Sequence, residues 1–432
     1  MRLKLEIIHI RSIRFGEKTS ISGGVLTIHR AELQALLLED RRLGEVEIEL
    51  AHPGERCRIV KVFDVIEPRA KTSDGDEDFP GAVGKVMTAG SGTTCVLKGA
   101  AVVLSDFRED REISTSADPN GEIIDMSGPA AELGAFGKTH NVVLLAKQGK
   151  GVGMRDYIAA LKLAGLKAAA YLAKAGKGLP PDEEQVFELP PLSERAQGAD
   201  ALPRIVYIFQ IQSLQFEPIA GEPVLYGRNV YGMVPTLIHP NEVFDGALTS
   251  SFPALNVQTY LVQNHPIILE LYKRHRKEIL FGGVIIMLAP NNVDDIEKDA
   301  CMAASLAKHV VGADGAILTK TGGGAPELTM AKTAQCCERL GIKTTIAMLH
   351  MGADMKDVKY GAVTIFNLPE VDAIVSMGVP FIELKLPAVD RVIGRPGVSP
   401  EGSIEGERVS AIRWIKGSQC QLGSSRLRAV RY

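Results

Sequence analysis

The chain has 432 residues, enough for two or three domains with separate cores. A net charge of −3, 5 % aromatic residues and a single tryptophan, Trp414, argue against nucleic acid or a membrane surface as partner. The opening "MRLKLEIIHIRSIRFG" carries charges throughout, unlike a signal or transit peptide, and no apolar run approaches the ~20 residues a bilayer requires. A cytoplasmic protein is expected.

The first part, residues 1–125, reads as a β-rich domain. "LKLEIIHI", "GGVLTI", "GEVEIELA", "CRIVKVFDVIEP" and "TTCVLKGAAVVLS" are short, β-branched runs separated by Gly, Pro and Asp turns. One helical insertion, "RAELQALLLEDRRL", interrupts them. Residues 126–235 read as an α/β unit. "NVVLLAK" is a strand running into the loop "QGKGVG", and "MRDYIAALKLAGLKAAAYLAKA" is a long helix with Ile158, Leu161, Leu166, Ala169 and Leu172 at helical spacing. The stretch 178–203, with two Pro-Pro pairs and five acidic residues from Asp182 to Glu194, reads as a surface connection. "RIVYIFQIQS" is a further buried strand.

Residues 236–278 hold the most polar loop, and residues 279–432 read as a C-terminal α/β domain. There "GGVIIMLA", "GAILTK", "KTTIAMLH" and "EVDAIVSMG" are strands, alternating with the helices "NVDDIEKDACMAASLAKHVVGA" and "PELTMAKTAQCCERLG". This βαβ pattern predicts a mainly parallel sheet with right-handed crossovers. The fold class is therefore α/β, with a β-rich N-terminal domain ahead of the α/β units.

Six cysteines without Cys-x-x-Cys spacing, and nine histidines without a helical His-x-x-x-His pair, support no metal site. Cys336 and Cys337 diverge by roughly 100° on a helix and are poorly placed to share an ion. The loop "TKTGGGAPE" follows a strand, so Gly322, Gly323, Gly324 and Glu327 are candidate substrate-binding residues, with a plain strand-to-helix turn as the alternative. His350, at the end of the next strand, is another candidate. The stretch "YGMVPTLIHPNEVFDGALTSS" gathers His239, Asn241, Glu242 and Asp245 just before Ser250 and Ser251. Asn241 reads as a substrate contact, and the other five as catalytic candidates. A hydroxyl that attacks a preceding carbonyl, with a polarising group and a base nearby, can cleave its own backbone. Elimination and hydrolysis then leave a pyruvoyl group. A capped turn feeding a loop is the plainer reading of the same residues.

Several stretches, taken in order, carry a resemblance: "IRFGEKTSISGGVL", "FPGAVGKVMTAGSGTTCVLKGAAVV", "EIIDMSGPAAE", "VPTLIHPNEVFDGA", "ELYKRHRKEILFGGVII", "GADGAILTKTGGGAPE", "LPAVDRVIGRP" and "GSIEGE". Together they resemble the proprotein of glycine/sarcosine/betaine reductase component B, its α and β subunits, over nearly the whole length. The resemblance implies a subunit that cleaves a C–N bond reductively in a small amine or amino-acid derivative. It implies a hetero-oligomer with a thiol- or selenol-bearing partner, and an internal cut whose downstream piece begins with a cysteine-derived pyruvoyl group. This chain departs from that pattern where the cut belongs: "LTSSFPALNVQT" contains no cysteine and is about three residues shorter than the family segment. The expectation is an uncleaved chain without a certain cofactor, acting enzymatically or as a scaffold. Pyruvoyl formation at Ser250 or Ser251 is the alternative. Tyr226, Tyr231, Phe244, Phe252 and Tyr260 cluster in sequence and suggest aromatic walls for a quaternary ammonium.

Overall fold

The computed structural model describes residues 1–73, 78–106, 121–195, 201–212, 222–250, 257–321, 325–349, 372–378, 382–396, 403–423 and 428–429. Ser251, Phe252, Gly322, Gly323, Gly324 and His350 lie outside the described residues.

Two four-stranded sheets build the N-terminal part. In one, strand Arg2–His9 runs parallel to Gly92–Lys98, which pairs antiparallel with Arg69–Lys71. In the other, His140–Gln148 lies between Leu43–Ala51 and Ala100–Asp106, with Val62–Ile66 at the far edge. Their apolar runs are buried on the long helix Met154–Lys174, whose Tyr157, Leu161, Leu166, Ala169 and Leu172 enter the same core as Leu97, Val102 and Leu144. Gly165 allows this approach, since a Cβ there would lie 2.7 Å from Ile66 and 2.8 Å from Leu104.

The C-terminal sheet has seven strands among the described residues. Its five central strands are parallel, in the spatial order Leu280–Met287, Arg204–Gln210, Gly315–Thr319, Lys343–Met348, Ala373–Ser376. Short antiparallel strands, Thr236–Ile238 and Arg428–Ala429, close its edges. The helices Val293–Ser305 and Ala325–Arg339 bury Ala303, Ala304, Met330 and Ala334 against one face. The mixed α/β architecture, with its β-rich first part and mainly parallel second sheet, matches the sequence reading. The first two strands along the chain sit side by side, and the direction of winding reverses between Arg204–Gln210 and Gly315–Thr319. Ligands of open α/β sheets bind at such a reversal, beyond the carboxyl ends of the strands.

One element differs from expectation. Within the Pro-rich stretch, Glu183–Glu188 is a strand paired antiparallel with Arg2–His9. Its acidic side chains face water from a sheet edge, where Lys4 meets Glu184 at 3.2 Å, while Phe187 is buried in the core. Exposed acidic side chains around a single buried aromatic are an edge-strand pattern that prolines on either side disguise. Pairing also runs across residue 125 and into the C-terminal stretch: Arg391–Ile393 lies parallel to Cys57–Ile59, and Arg58 forms a buried ion pair with Asp125 at 2.6 Å. Among the described residues no helix is long and apolar enough to cross a membrane.

Candidate functional site

Pro240–Phe244 is a single helical turn that follows directly from the edge strand Thr236–Ile238. Its sequence explains it. Proline stands at the first helical position, His239 caps the end, and Glu242 completes a capping box. The Asn241 amide N–H donates to His239 Nδ1 at 3.2 Å, and the His239 N–H donates to Glu242 Oε1 at 2.7 Å. With Nδ1 accepting, His239 Nε2 is left to donate to the Leu189 carbonyl at 3.3 Å. Tyr226 donates to the other Glu242 oxygen at 2.6 Å.

Asn241 and Asp245 tie this turn to the N-terminal sheet. Asn241 donates to the carbonyls of Gly90 and Phe187 at 3.0 and 3.1 Å, and accepts from Tyr272. Asp245 accepts from the Gly90 N–H at 2.6 Å and the Thr94 hydroxyl at 2.7 Å, and pairs with buried Lys71 at 2.6 Å. Gly90 is required here: its φ is +96°, and a Cβ would lie 3.0 Å from Asn241 and 2.6 Å from Met1. Arg69, paired with Glu67 at 2.5 Å, donates to the Phe244 carbonyl at 2.6 Å. The four polar residues of "HPNEVFD" thus come together, and each is engaged in holding backbone.

The turn delivers the next segment to the carboxyl end of the parallel sheet. Thr249 is fixed by its N–H to the Val224 carbonyl at 2.9 Å and its hydroxyl to the Pro223 carbonyl at 2.7 Å. Leu248, Thr249 and Ser250 then face Phe209, Ile211, Val257, Val262 and Thr321 across a gap of about 10 Å³, space for about one water molecule. Phe209 and Ile211 end the first parallel strand, and Thr321 follows the third. The gap therefore lies at the winding reversal. It is far below the ~300 Å³ of ordinary ligand pockets, so in the chain alone these residues form a packed junction.

Ser250 is 3 % exposed, and its peptide atoms are met by titratable side chains from distant parts of the chain. Lys162, fully buried in the long helix, donates to the Ser250 carbonyl oxygen and lies 3.3 Å from Glu222. The Ser250 N–H donates to the Thr259 hydroxyl at 3.1 Å, and that hydroxyl donates to Asp64 at 2.6 Å. Asp64 also accepts the N–H groups of Thr259 and Val65 at 2.9 and 2.8 Å. Burial pushes the Asp64 carboxyl above its ordinary value, opposed by the Lys162 charge and the hydrogen bonds from Thr259 and Val65. The Ser250 hydroxyl itself donates to the Val257 carbonyl at 2.5 Å.

Lys162, Asp64, Glu222 and Thr259 are not among the residues singled out from the sequence. Two of them left a signal. Lys162 falls at i+4 from Ile158 and i−4 from Leu166, in the middle of the apolar stripe, and Asp64 interrupts the buried run "VFDVI". Glu327 lies elsewhere, in the first turn of Ala325–Arg339, paired with Lys320 at 3.2 Å. Burial lowers the Lys320 pKa from its ordinary value. The aromatics do not converge: Phe244 packs on Phe187 and Tyr272, Tyr260 on Phe136, Tyr226 binds Glu242, and Tyr231 is exposed. Among the described residues no cluster could hold a metal ion.

The sequence profile of glycine/sarcosine/betaine reductase component B subunits matches residues 1–413. The sarcosine reductase complex component B subunit alpha of Peptoclostridium acidaminophilum is 36 % identical, across 91 % of this chain and 89 % of its own length. The glycine reductase complex component B subunits alpha and beta of Acetoanaerobium sticklandii are 34 % identical across 100 % of both chains. The betaine reductase complex component B subunit alpha of P. acidaminophilum is 34 % identical, across 80 % of this chain and 77 % of its own length. With the profile covering nearly all of its length, this chain belongs to the family of glycine/sarcosine/betaine reductase component B subunits.

Proposed function

We propose that this reductase-complex subunit takes part in reductive cleavage of the C–N bond, or a similar carbon–heteroatom bond, of a small amine or amino-acid derivative. A partner subunit brings the thiol or selenol nucleophile, and the working unit is a hetero-oligomer. The observation that carries this reading is the placement of Thr249 and Ser250 in a packed junction at the winding reversal of the parallel sheet. There Phe209, Ile211, Leu248, Val257 and Val262 exclude water. Lys162, Asp64 and Glu222 bring charge to a dry place, where it acts strongly.

A pyruvoyl group, which the family resemblance implies, fits this site. Ser250 is a residue it can be made from, and a buried cation already faces the carbonyl that would adjoin it. When present, such a group supplies a ketone able to engage an amine. The chain's own residues hold that position: Thr259 and Asp64 from the amide side, Lys162 and Glu222 from the carbonyl side.

A non-catalytic scaffold is the second reading. It draws support from His239, Asn241, Glu242 and Asp245, which all hold backbone rather than face that junction. Reconstitution separates the two. The full chain is combined with a selenol- or thiol-bearing reductase component and a dithiol reductant, and amine release from glycine, sarcosine and betaine is followed. Turnover that disappears in Lys162→Met while the complex still assembles supports the catalytic reading. Turnover unchanged by that substitution supports the scaffold.

A further inference from the structure

The helices Val293–Ser305 and Ala325–Arg339 follow the strands Leu280–Met287 and Gly315–Thr319, both parallel to Arg204–Gln210. The two helices therefore run in the same direction, side by side on one face of the sheet. Their contact is lined by small side chains. Ala303, Ala304, Ala331 and Ala334 are buried in one core cluster, which lets the two backbones approach closely.

Along the outer edge of this contact an ion pair sets the register. Lys332 meets Glu297 at 3.1 Å, at an offset of 35 residues. On the next turn of each helix stand Cys301 and Cys336, at the same offset of 35 residues. Side chains one turn apart share a helix face, so the register that joins Glu297 to Lys332 also brings the two thiols together. Their sulfurs lie 3.5 Å apart. These two are also the cysteines within reach of solvent. Cys301 is exposed and Cys336 half-buried, while Cys57, Cys95, Cys337 and Cys420 are buried. Cys337 packs in the core with Met330 and Ala334 and cannot take the place of its neighbour.

We propose that Cys301 and Cys336 are a redox-active pair, a modification site at which small-molecule disulfides are reduced by thiol–disulfide exchange and a reversible disulfide forms between the two helices.

The exchange balances. The Cys301 sulfur attacks one sulfur of the incoming disulfide. A new S–S bond forms, the old one breaks, and the first thiol leaves. The Cys336 sulfur then attacks Cys301 Sγ and expels the second thiol. Two protein thiols are oxidised, one disulfide is reduced, and the two protons pass to the released thiols. The order follows from the surroundings. Burial and the neighbouring Cys301 thiol push the Cys336 thiol up to about 11, against the pull of Arg339 and Lys332. Exposed Cys301 is the sulfur that a ligand reaches first. Once it is held in a mixed disulfide it no longer opposes the Cys336 thiolate, and the two cations remain.

The new bond joins the helix before strand Gly315–Thr319 to the helix after it. It closes a loop that contains this strand and Thr321, the residue that faces Ser250. Under the reductase reading given above, a dithiol is consumed and a disulfide is left, which is the class of molecule this pair takes. The exchange itself does not depend on that reading.

The test uses the purified full chain, reduced, freed of reductant and equilibrated at neutral pH with graded mixtures of reduced and oxidised glutathione. Remaining thiols are alkylated rapidly with N-ethylmaleimide in denaturant, and intact masses and peptide maps are read. The expected result is loss of two of the six alkylation sites as oxidised glutathione rises, with a Cys301–Cys336 cross-linked peptide and full recovery in dithiothreitol. Cys336→Ser retains one glutathione on Cys301, and Cys301→Ser forms no cross-link. The oxidised wild type melts at a higher temperature than the reduced, a shift absent from Cys336→Ser. Six alkylated thiols at every ratio overturn the proposal. So does glutathione that stays on Cys301 of the wild type, a link through Cys337, or a link between two chains. The wild-type masses carry the test wherever a variant does not fold. Because they are read without turnover, failure of the exchange is distinct from failure of the reductase reading.

Discussion

Asp245 and Ser250 stand five positions apart and are both buried, yet their surroundings work in opposite directions. At Asp245 a charged side chain is spent on the backbone and on one cation: Gly90, Thr94 and Lys71 occupy its two oxygens. At Ser250 the backbone is the object, and the titratable side chains of Lys162, Asp64 and Glu222 gather around one residue's peptide atoms. Polar composition alone ranks the first cluster higher, because its residues are adjacent in sequence. The geometry assigns it to architecture: it anchors a helical turn that carries Ser250 to the junction at the winding reversal.

The sharpest way to break this comparison is Asp245→Ala. It leaves Lys71 as an uncompensated buried cation, a loss of about 3–5 kcal/mol. Urea unfolding of the full chain reads it directly, and a loss below about 1 kcal/mol would put Asp245 outside the architectural cluster.

The next effect is one of pH. Burial lowers His265 from its ordinary 6.5 to about 3, so the folded protein holds it neutral. Between those values the unfolded chain binds the additional proton. The stability His265 contributes is therefore present above pH 6.5 and is lost as pH falls toward 3, by at most about 1.4 kcal/mol per unit. A His265→Gln variant flattens that part of the stability profile; an unchanged profile would assign the acid sensitivity to another group.

Tyr226→Phe removes a hydrogen bond to the Glu242 carboxylate and loosens the turn by roughly 1.5–3 kcal/mol. His239→Ala removes the cap, with an expected cost of about 1 kcal/mol. Both are read as midpoint shifts in thermal unfolding. Ser250→Ala should be the mildest for stability, at about 1 kcal/mol for the lost bond to Val257, read in the same unfolding assay.

The chain's local chemistry fixes much of this molecule. Continuous apolar strands between amphipathic helices dictate the parallel sheet, because such strands are stable only when covered on both faces. The cap and capping box of His239 to Glu242 are legible because their partners lie within one turn. The missing cysteine is a fact of composition. The edge strand Glu183–Glu188 was hidden by its prolines, since what makes it a strand is the ladder that Arg2–His9 provides. The environment of Ser250 depends wholly on tertiary structure. Asp64 and Thr259 are 195 residues apart, and Lys162 and Ser250 are 88. A lysine in an apolar stripe and an aspartate in a buried strand announce that each requires a partner, because an unpaired charge is not tolerated there. Only the packing of the long N-terminal helix against the loops at the carboxyl end of the C-terminal sheet decides that the partner is the peptide of Ser250.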